Sequence, residues 1–292
     1  MKVRFVKMHG AGNDFVMIDD RDGALEALFG RDALLRVRVL SAIGARGTGV
    51  GCEGIILVQR STTADFRMRF FNPDGSEAEM CGNGARCVAA FAREIGAATS
   101  DTMRFETIAG EVRAEIVRLG PDDGQRTSDM RRKTEKTLVR IALPDPKDLR
   151  EDFVNSGVPH KIVSVEDLKH VDVEGEGRRI RYSEEFAPAG TNVDFVRYRP
   201  PHDADIRTYE RGVEAESGAC GTGSVAAAVV GVAQHGLSFP VAVHTVKGFE
   251  LTIGGECVGT SFRSVTLTGP AARVFEGEID LDSLDNSTFD RG

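Results

Sequence analysis

Two long stretches of this chain repeat one another. "RFFNPDGSEAEMCGNGARCVAA", from Arg69, is matched by "RTYERGVEAESGACGTGSVAAA", from Arg207. A shorter echo pairs "GAGNDFV" (Gly10 to Val16) with "GTNVDFV" (Gly190 to Val196). After each long repeat comes a strand-like segment with a Thr-x-x-Gly turn, Thr107 with Gly110 and Thr245 with Gly248. Three matched elements in one order predict two α/β units of common design, related by a pseudo-two-fold axis. Such an axis brings the two cysteine-bearing segments together at an interface between units, where clefts favour ligand binding.

Within that frame the local patterns assign elements. "VRFVKMHGAGNDFVMID" reads as two strands around a glycine turn, and "EGIILVQR" and "FRMRFFN" read as strands. "ALEALFGRDALLRVRVLSAIG" has helical period. After Cys81, apolar residues at Ala85, Val88, Ala89, Ala92 and Ile95, with Gly96 as the stop, predict a helix. The polar, patternless stretch Leu119 to Thr137 predicts a linker, and "LDSLDNSTFDRG" at 281–292 a loose tail. The expected domains are 1–135, with 270–280 returning to it, and 138–269.

At 292 residues, 41% hydrophobic and 28% charged, the chain has the composition of a globular protein with ample core. The net charge of −8 argues against nucleic acid and anionic membrane as partners. No apolar run approaches the roughly 20 residues of a spanning helix. The start lacks the apolar stretch of a signal peptide. Five cysteines at irregular spacing (Cys52, Cys81, Cys87, Cys220 and Cys257) suit reduced thiols in a cytoplasm.

Cys81 and Cys220 each stand at a glycine-rich turn opening a helix. The N–H groups and the positive dipole end there favour a thiolate, and they hold a carboxylate as well. Two such thiols suit removal of a proton from one face of a carbon, α to a carboxylate, and delivery to the other. Cys52, Cys87 and Cys257 read as small hydrophobic residues. No C-x-x-C occurs to suggest zinc, and no lysine completes a P-loop. "GTGSVAAA" lacks the strand and trailing acid of a dinucleotide site.

"MHGAGNDFV", the two long repeats and the closing "TGPAARVFEG" together resemble the diaminopimelate epimerase family, from about residue 2 to 277. The resemblance implies two similar domains, each a mixed sheet curled around a central helix, in a homodimer. It implies interconversion of LL- and meso-2,6-diaminopimelate, on the route to lysine and peptidoglycan, without pyridoxal phosphate, metal or other cofactor. By the same resemblance Cys81 and Cys220 are the acid–base pair. His160 and Glu210 orient the substrate's amino end and assist the thiols. Asn13, Asn72, Asn192 and Arg211 hold the substrate, Arg211 taking the distal carboxylate. Gly82, Asn83, Gly221 and Thr222 supply donors around the reacting carboxylate.

Four departures from the family pattern stand out. Glu53 replaces an aspartate, and Ser217 and Gly218 replace threonine and leucine. Val158 stands where asparagine is common, which leaves Asn155 as an alternative contact. Two other readings fit a two-cysteine chain: a cofactor-independent racemase of proline, hydroxyproline or glutamate, and a non-catalytic thiol switch. Asn83 stands where proline-type racemases carry histidine.

Overall fold

The computed structural model describes residues 1–117 and 137–284, and the chain divides into two compact units. Unit 1 comprises Met1–Val139 with Pro270–Gly292, and unit 2 comprises Arg140–Gly269. The expected linker, apart from Thr137, lies outside the described residues.

Unit 1 contains β1 (Lys2–Gly10), β2 (Asn13–Asp19), α1 (Ala24–Phe29), α2 (Ala33–Gly44), β3 (Gly54–Gln59), β4 (Phe66–Phe71), β5 (Glu77–Ala78), α3 (Gly82–Glu94), β6 (Thr102–Thr107) and β7 (Gly110–Val117). β8 (Thr137–Ala142) leads into unit 2. There follow β9 (Lys147–Arg150), β10 (Phe153–Asn155), β11 (Pro159–Ser164), α4 (Val173–Arg181), β12 (Asn192–Arg199), β13 (Asp203–Glu210), β14 (Ala215–Ser217), α5 (Gly221–Gln234), β15 (Val241–Thr245) and β16 (Glu250–Val258). The long β17 (Ser261–Asp280) serves unit 2 with its first half and unit 1 with its second.

The two units share one topology. In unit 1, β1 is antiparallel to β2, β2 parallel to β3, β3 antiparallel to β4, β4 parallel to β6 and β6 antiparallel to β7. The short β5 folds back on β4. Unit 2 repeats this with β10 to β16, β14 folding back on β13. β1 gains a further antiparallel neighbour in β17, β10 in β9 and β16 in β17.

Each sheet curls because its cysteine-bearing helix is buried nearly all round and has to be surrounded. α3 touches β1 and β7, which stand at opposite ends of the unit 1 order, as well as β2, β3 and β4. α5, a run of alanine and valine, touches β10, β11, β12, β13, β15 and β16. The outer face is covered too. In unit 1, Leu25, Phe29, Leu40 and Ile43 of α1 and α2 pack on Val16, Ile18, Ile55 and Leu57. In unit 2, Val173 and Ile180 of α4 pack on Val193, Phe195 and Tyr209. Burial on both faces explains why β2 and β3 read as unbroken apolar runs.

Three expectations are corrected. The segment from Ala24 to Gly44 is two helices. Gly30 turns the chain at φ 51°, and Asp32 caps α2 by accepting the Leu35 N–H at 2.9 Å. The tail begins later than residue 281, because Leu281 and Leu284 are buried in the unit 1 core; residues 285–292 lie outside the described part. The short echo is local only. "GTNVDFV" opens β12, which holds the topological place of β3, whereas Asn13 opens β2, whose counterpart is β11. Both segments merely start a strand after a glycine turn.

Candidate functional site

Cys81 is the N-cap of α3, in extended backbone at φ −134° and ψ 124°, half-buried. It is delivered there by a pinned hairpin. Arg69 in β4 grips Glu77 in β5 through two parallel contacts of 2.7 and 2.9 Å, a planar fork matched to a carboxylate. Asn72 shapes the turn between these strands, its Nδ2 donating to Ser76 Oγ at 3.1 Å. Glycine is required at Gly10, the end of β1, where a Cβ would fall 2.7 Å from the Asn83 carbonyl oxygen.

Around Cys81 lies a chain of amides. Its Sγ is 3.7 Å from Asn13 Oδ1, to which Asn83 Nδ2 also donates at 3.5 Å. Asn13 Nδ2 donates to Glu53, so the glutamate found in place of aspartate reaches the same residue. Beneath the first turn lies Arg86, wholly buried, donating to Asn83 Oδ1 at 2.7 Å and to the Gly82 carbonyl at 3.3 Å. Among the described residues no carboxylate pairs with it, and burial brings its guanidinium down to about 10. Cys87, next in sequence, is pushed up to about 12 by burial, against the opposing pull of Arg86, and stays a neutral core thiol. Cys52 is buried likewise, whereas Cys257 is exposed on β16, contrary to its reading as a core residue.

Cys220 is the N-cap of α5, and its hairpin carries the same clamp: Arg207 grips Glu216 with two contacts of 2.7 Å. The pairs Arg69–Glu77 and Arg207–Glu216 were not singled out from sequence, although both lie within the long repeats. The sulfur accepts the Gly223 N–H at 3.3 Å and lies 3.4 Å from Thr222 Oγ1. An easily ionised thiol is not what the surroundings produce here. Burial first, then the carboxylates of Glu210 and Asp194, push Cys220 well above the ordinary thiol range. The Thr222 and Gly223 hydrogen bonds pull the other way and lose.

His160, in β11, is completely buried. Its Nδ1 lies 2.6 Å from Asp194 Oδ2, and its Nε2 lies 3.0 Å from Thr222 Oγ1 and 3.3 Å from Asn192 Nδ2. Asn192 is buried and its oxygen accepts the Arg211 N–H at 2.7 Å. Its amide thus orders the site from within. The Arg211 guanidinium is held by the carbonyls of Ala189 and Gly190 at 3.3 and 3.5 Å, and no carboxylate among the described residues pairs with it. Glu210 ends β13, on the strand carrying the Arg207 clamp. Asn155 Oδ1 accepts the Gly157 N–H at 3.1 Å, a local turn contact. Asp194 and Ser156, the latter donating to the Thr222 carbonyl at 2.8 Å, were missed. A buried aspartate in an apolar strand was the available signal for the first.

Unit 1 therefore gathers Cys81 with Asn13, Gly82 and Asn83. Unit 2 gathers Cys220 with His160, Asn192, Glu210, Arg211, Gly221 and Thr222. Among the described residues no cluster of histidine, cysteine and acidic groups is arranged to hold a metal ion. No helix described is long and apolar enough to cross a membrane.

A doubled unit of this topology, each built around an enclosed helix, defines a class of two-domain folds. A phenazine biosynthesis protein of the PhzF family from Bacillus anthracis shares it, with a TM-score of 0.68 at 16% identity over 96% of this chain and 99% of that one. So does a probable proline racemase from Agrobacterium radiobacter, with a TM-score of 0.63 at 15% identity over 97% and 94%. Sequence comparison is narrower. The family model described as diaminopimelate epimerase matches residues 5–130 and 153–274. The diaminopimelate epimerase of Aquifex aeolicus is 42% identical over 97% of this chain and all of its own, and that of Archaeoglobus fulgidus 40% identical over 97% and 99%. The chain belongs to the diaminopimelate epimerase family.

Proposed function

We propose that this protein is an isomerase that interconverts LL- and meso-2,6-diaminopimelate by proton transfer at the α-carbon. Cys81 and Cys220 act as thiolate base and thiol acid, exchanging roles between the two directions. The observation that supports this best is the repetition of one device. In each unit a cysteine caps a buried helix, after a hairpin pinned by an arginine–glutamate fork. The hydrogen α to a carboxylate is a weak acid. Its removal needs a positioned base, and inversion needs an acid on the opposite face. N–H groups at the starts of α3 and α5 suit the carboxylate that gains charge as the proton leaves.

Arg211 favours diaminopimelate over an amino acid with one carboxylate, because a guanidinium with no carboxylate partner among the described residues suits the substrate's distal end. Assembly as a homodimer and residence in the cytoplasm belong to the same reading. They rest on the family, and the second also on five cysteines of which none is joined in a disulfide.

The decisive experiment follows deuterium from D₂O during turnover of LL-diaminopimelate. With two thiols, early product carries deuterium at the α-carbon while remaining substrate stays largely unlabelled, because the abstracted proton sits on the thiol that would return it. Early product without deuterium would exclude the mechanism. A panel with proline, hydroxyproline and glutamate decides the substrate.

A further inference from the structure

Asp194 has no part in the reading above. It lies on β12, wholly buried, and among the described residues it has no lysine or arginine partner. Its Oδ1 accepts from Thr208 Oγ1 at 2.7 Å, and its Oδ2 faces His160 Nδ1 at 2.6 Å. Gly223 of α5 leaves room for it, since a Cβ there would fall 2.5 Å from Asp194 Oδ1.

The hydrogen bonds around His160 fix where its proton lies. The Arg211 N–H donates to Asn192 Oδ1, so the amide presents Nδ2 to His160 Nε2. An amide nitrogen only donates, which makes Nε2 the acceptor and leaves the proton on Nδ1, given to Asp194. Thr222 Oγ1 stands between Nε2 at 3.0 Å and Cys220 Sγ at 3.4 Å. With Nε2 accepting, the hydroxyl turns its hydrogen to the ring and its lone pairs to the thiol.

We propose that Asp194 is the positioning residue of a proton relay, Cys220–Thr222–His160–Asp194, which ionises the Cys220 thiol inside its buried pocket. This rests on the reading of Cys220 as an acid–base thiol. In the relay the Cys220 S–H proton passes to Thr222 Oγ1 while the Thr222 hydroxyl proton passes to His160 Nε2. The products are a thiolate, an intact hydroxyl and an imidazolium facing the Asp194 carboxylate. No proton leaves, and the net charge of the pocket is unchanged. That matters because burial penalises a lone thiolate. The carboxylate of Glu210 on β13 adds to that penalty. The side chain of Lys247, from the β15–β16 turn, lies against Gly218. Among the described residues the equivalent places in unit 1 hold other side chains, Phe15 at the strand position of His160 and Asn83 at the helix position of Thr222.

The equilibrium between the isomers fixes the ratio of kcat/KM in the two directions, so loss of Asp194 lowers both alike. The resting thiol is the sharper readout. Cys220 is alkylated with iodoacetamide at fixed pH, without substrate, and followed by peptide mass spectrometry in wild type and Asp194→Asn. If the relay operates, the imidazolium loses the carboxylate that faces it, and alkylation slows roughly 10-fold. If Asp194 is only a buried negative charge, its removal favours the thiolate and alkylation accelerates. Acceleration or no change overturns the relay. Should Asp194→Asn not fold, Thr222→Val and Thr222→Ser give the same decision: slowing in the first with retention in the second supports the relay, and equal behaviour overturns it. Ring-nitrogen NMR of His160 in wild type should show an unprotonated Nε2, and a neutral ring protonated there refutes the assignment. None of these measurements uses turnover. A protein that passes them yet leaves diaminopimelate unchanged would refute the function and keep the relay.

Discussion

At the residue scale, the five cysteines separate by environment. Cys81→Ala and Cys220→Ala should each abolish epimerisation, since one positioned acid or base supplies about 10² to 10⁴ in rate. Cys87→Ala should leave turnover near wild type and lower stability by about 1 kcal/mol, because that thiol is a buried, neutral packing group beside Arg86. Circular dichroism with a turnover assay checks the contrast, and equal loss from Cys87→Ala would contradict it. Arg211 is separable from the chemistry. Arg211→Met should weaken kcat/KM for diaminopimelate by roughly 2–5 kcal/mol, the range for stripping the partner from a buried charge. It should also narrow the preference over amino acids without a distal carboxylate. Arg211→Lys keeps the charge but loses the fork and should recover only part. A preference that survives Arg211→Met means the distal end is read elsewhere.

At the scale of elements, what matters is how tightly the helices α3 and α5 are seated. Two glycines test this from opposite sides. Gly10→Ala drives a methyl group toward the Asn83 carbonyl, backbone against backbone, so the first turn of α3 has to shift and Cys81 with it. Activity should fall well beyond any change in thermal stability. Gly96, just past α3 at φ 68°, has open space around it. Gly96→Ala there should cost about 1 kcal/mol of stability through the left-handed backbone and leave kcat unchanged. Paired melting and turnover curves distinguish the two, and equal activity loss in both would refute the seating argument.

At the scale of the whole molecule, carboxylates held below their ordinary range tie folding to pH. Glu214 is lowered from 4.5 to about 2, first by the Gly212 N–H, then by the hydroxyls of Tyr182 and Tyr209 and by Arg181. Glu77 is lowered by its fork with Arg69, and Asp14 by Lys7 and Arg46 against the opposing effect of burial. In the unfolded chain these groups take up protons at their ordinary carboxylate pKa values, at higher pH than in the folded protein. Their stabilisation is therefore complete above the ordinary carboxylate range and is lost as pH falls from about 4.5 toward about 2. Urea midpoints should drop steadily across that window, and Glu214→Gln should flatten the slope. A mutant slope equal to wild type would show that Glu214 does not contribute.

The repeat was legible because packing imposes it on composition. A helix enclosed by a sheet is built largely of small and apolar residues, and a tight helix start favours glycine, so "CGNGARC" and "CGTGSVAAA" declare themselves. Strand order was not legible in the same way. "GAGNDFV" and "GTNVDFV" look alike because local turn chemistry is the same, yet pairing partners far along the chain place them on different strands. Helix α2 was blurred into α1 until the Asp32 cap and Gly30 divided them. That Cys81 and Cys220 each open a helix was legible in the sequence. Their unequal settings were not: Arg86 lies beneath one helix start, and Asp194 with His160 lies beneath the other. Ionisation depends on burial and on charges brought in by distant strands, and only the tertiary structure decides which charges those are.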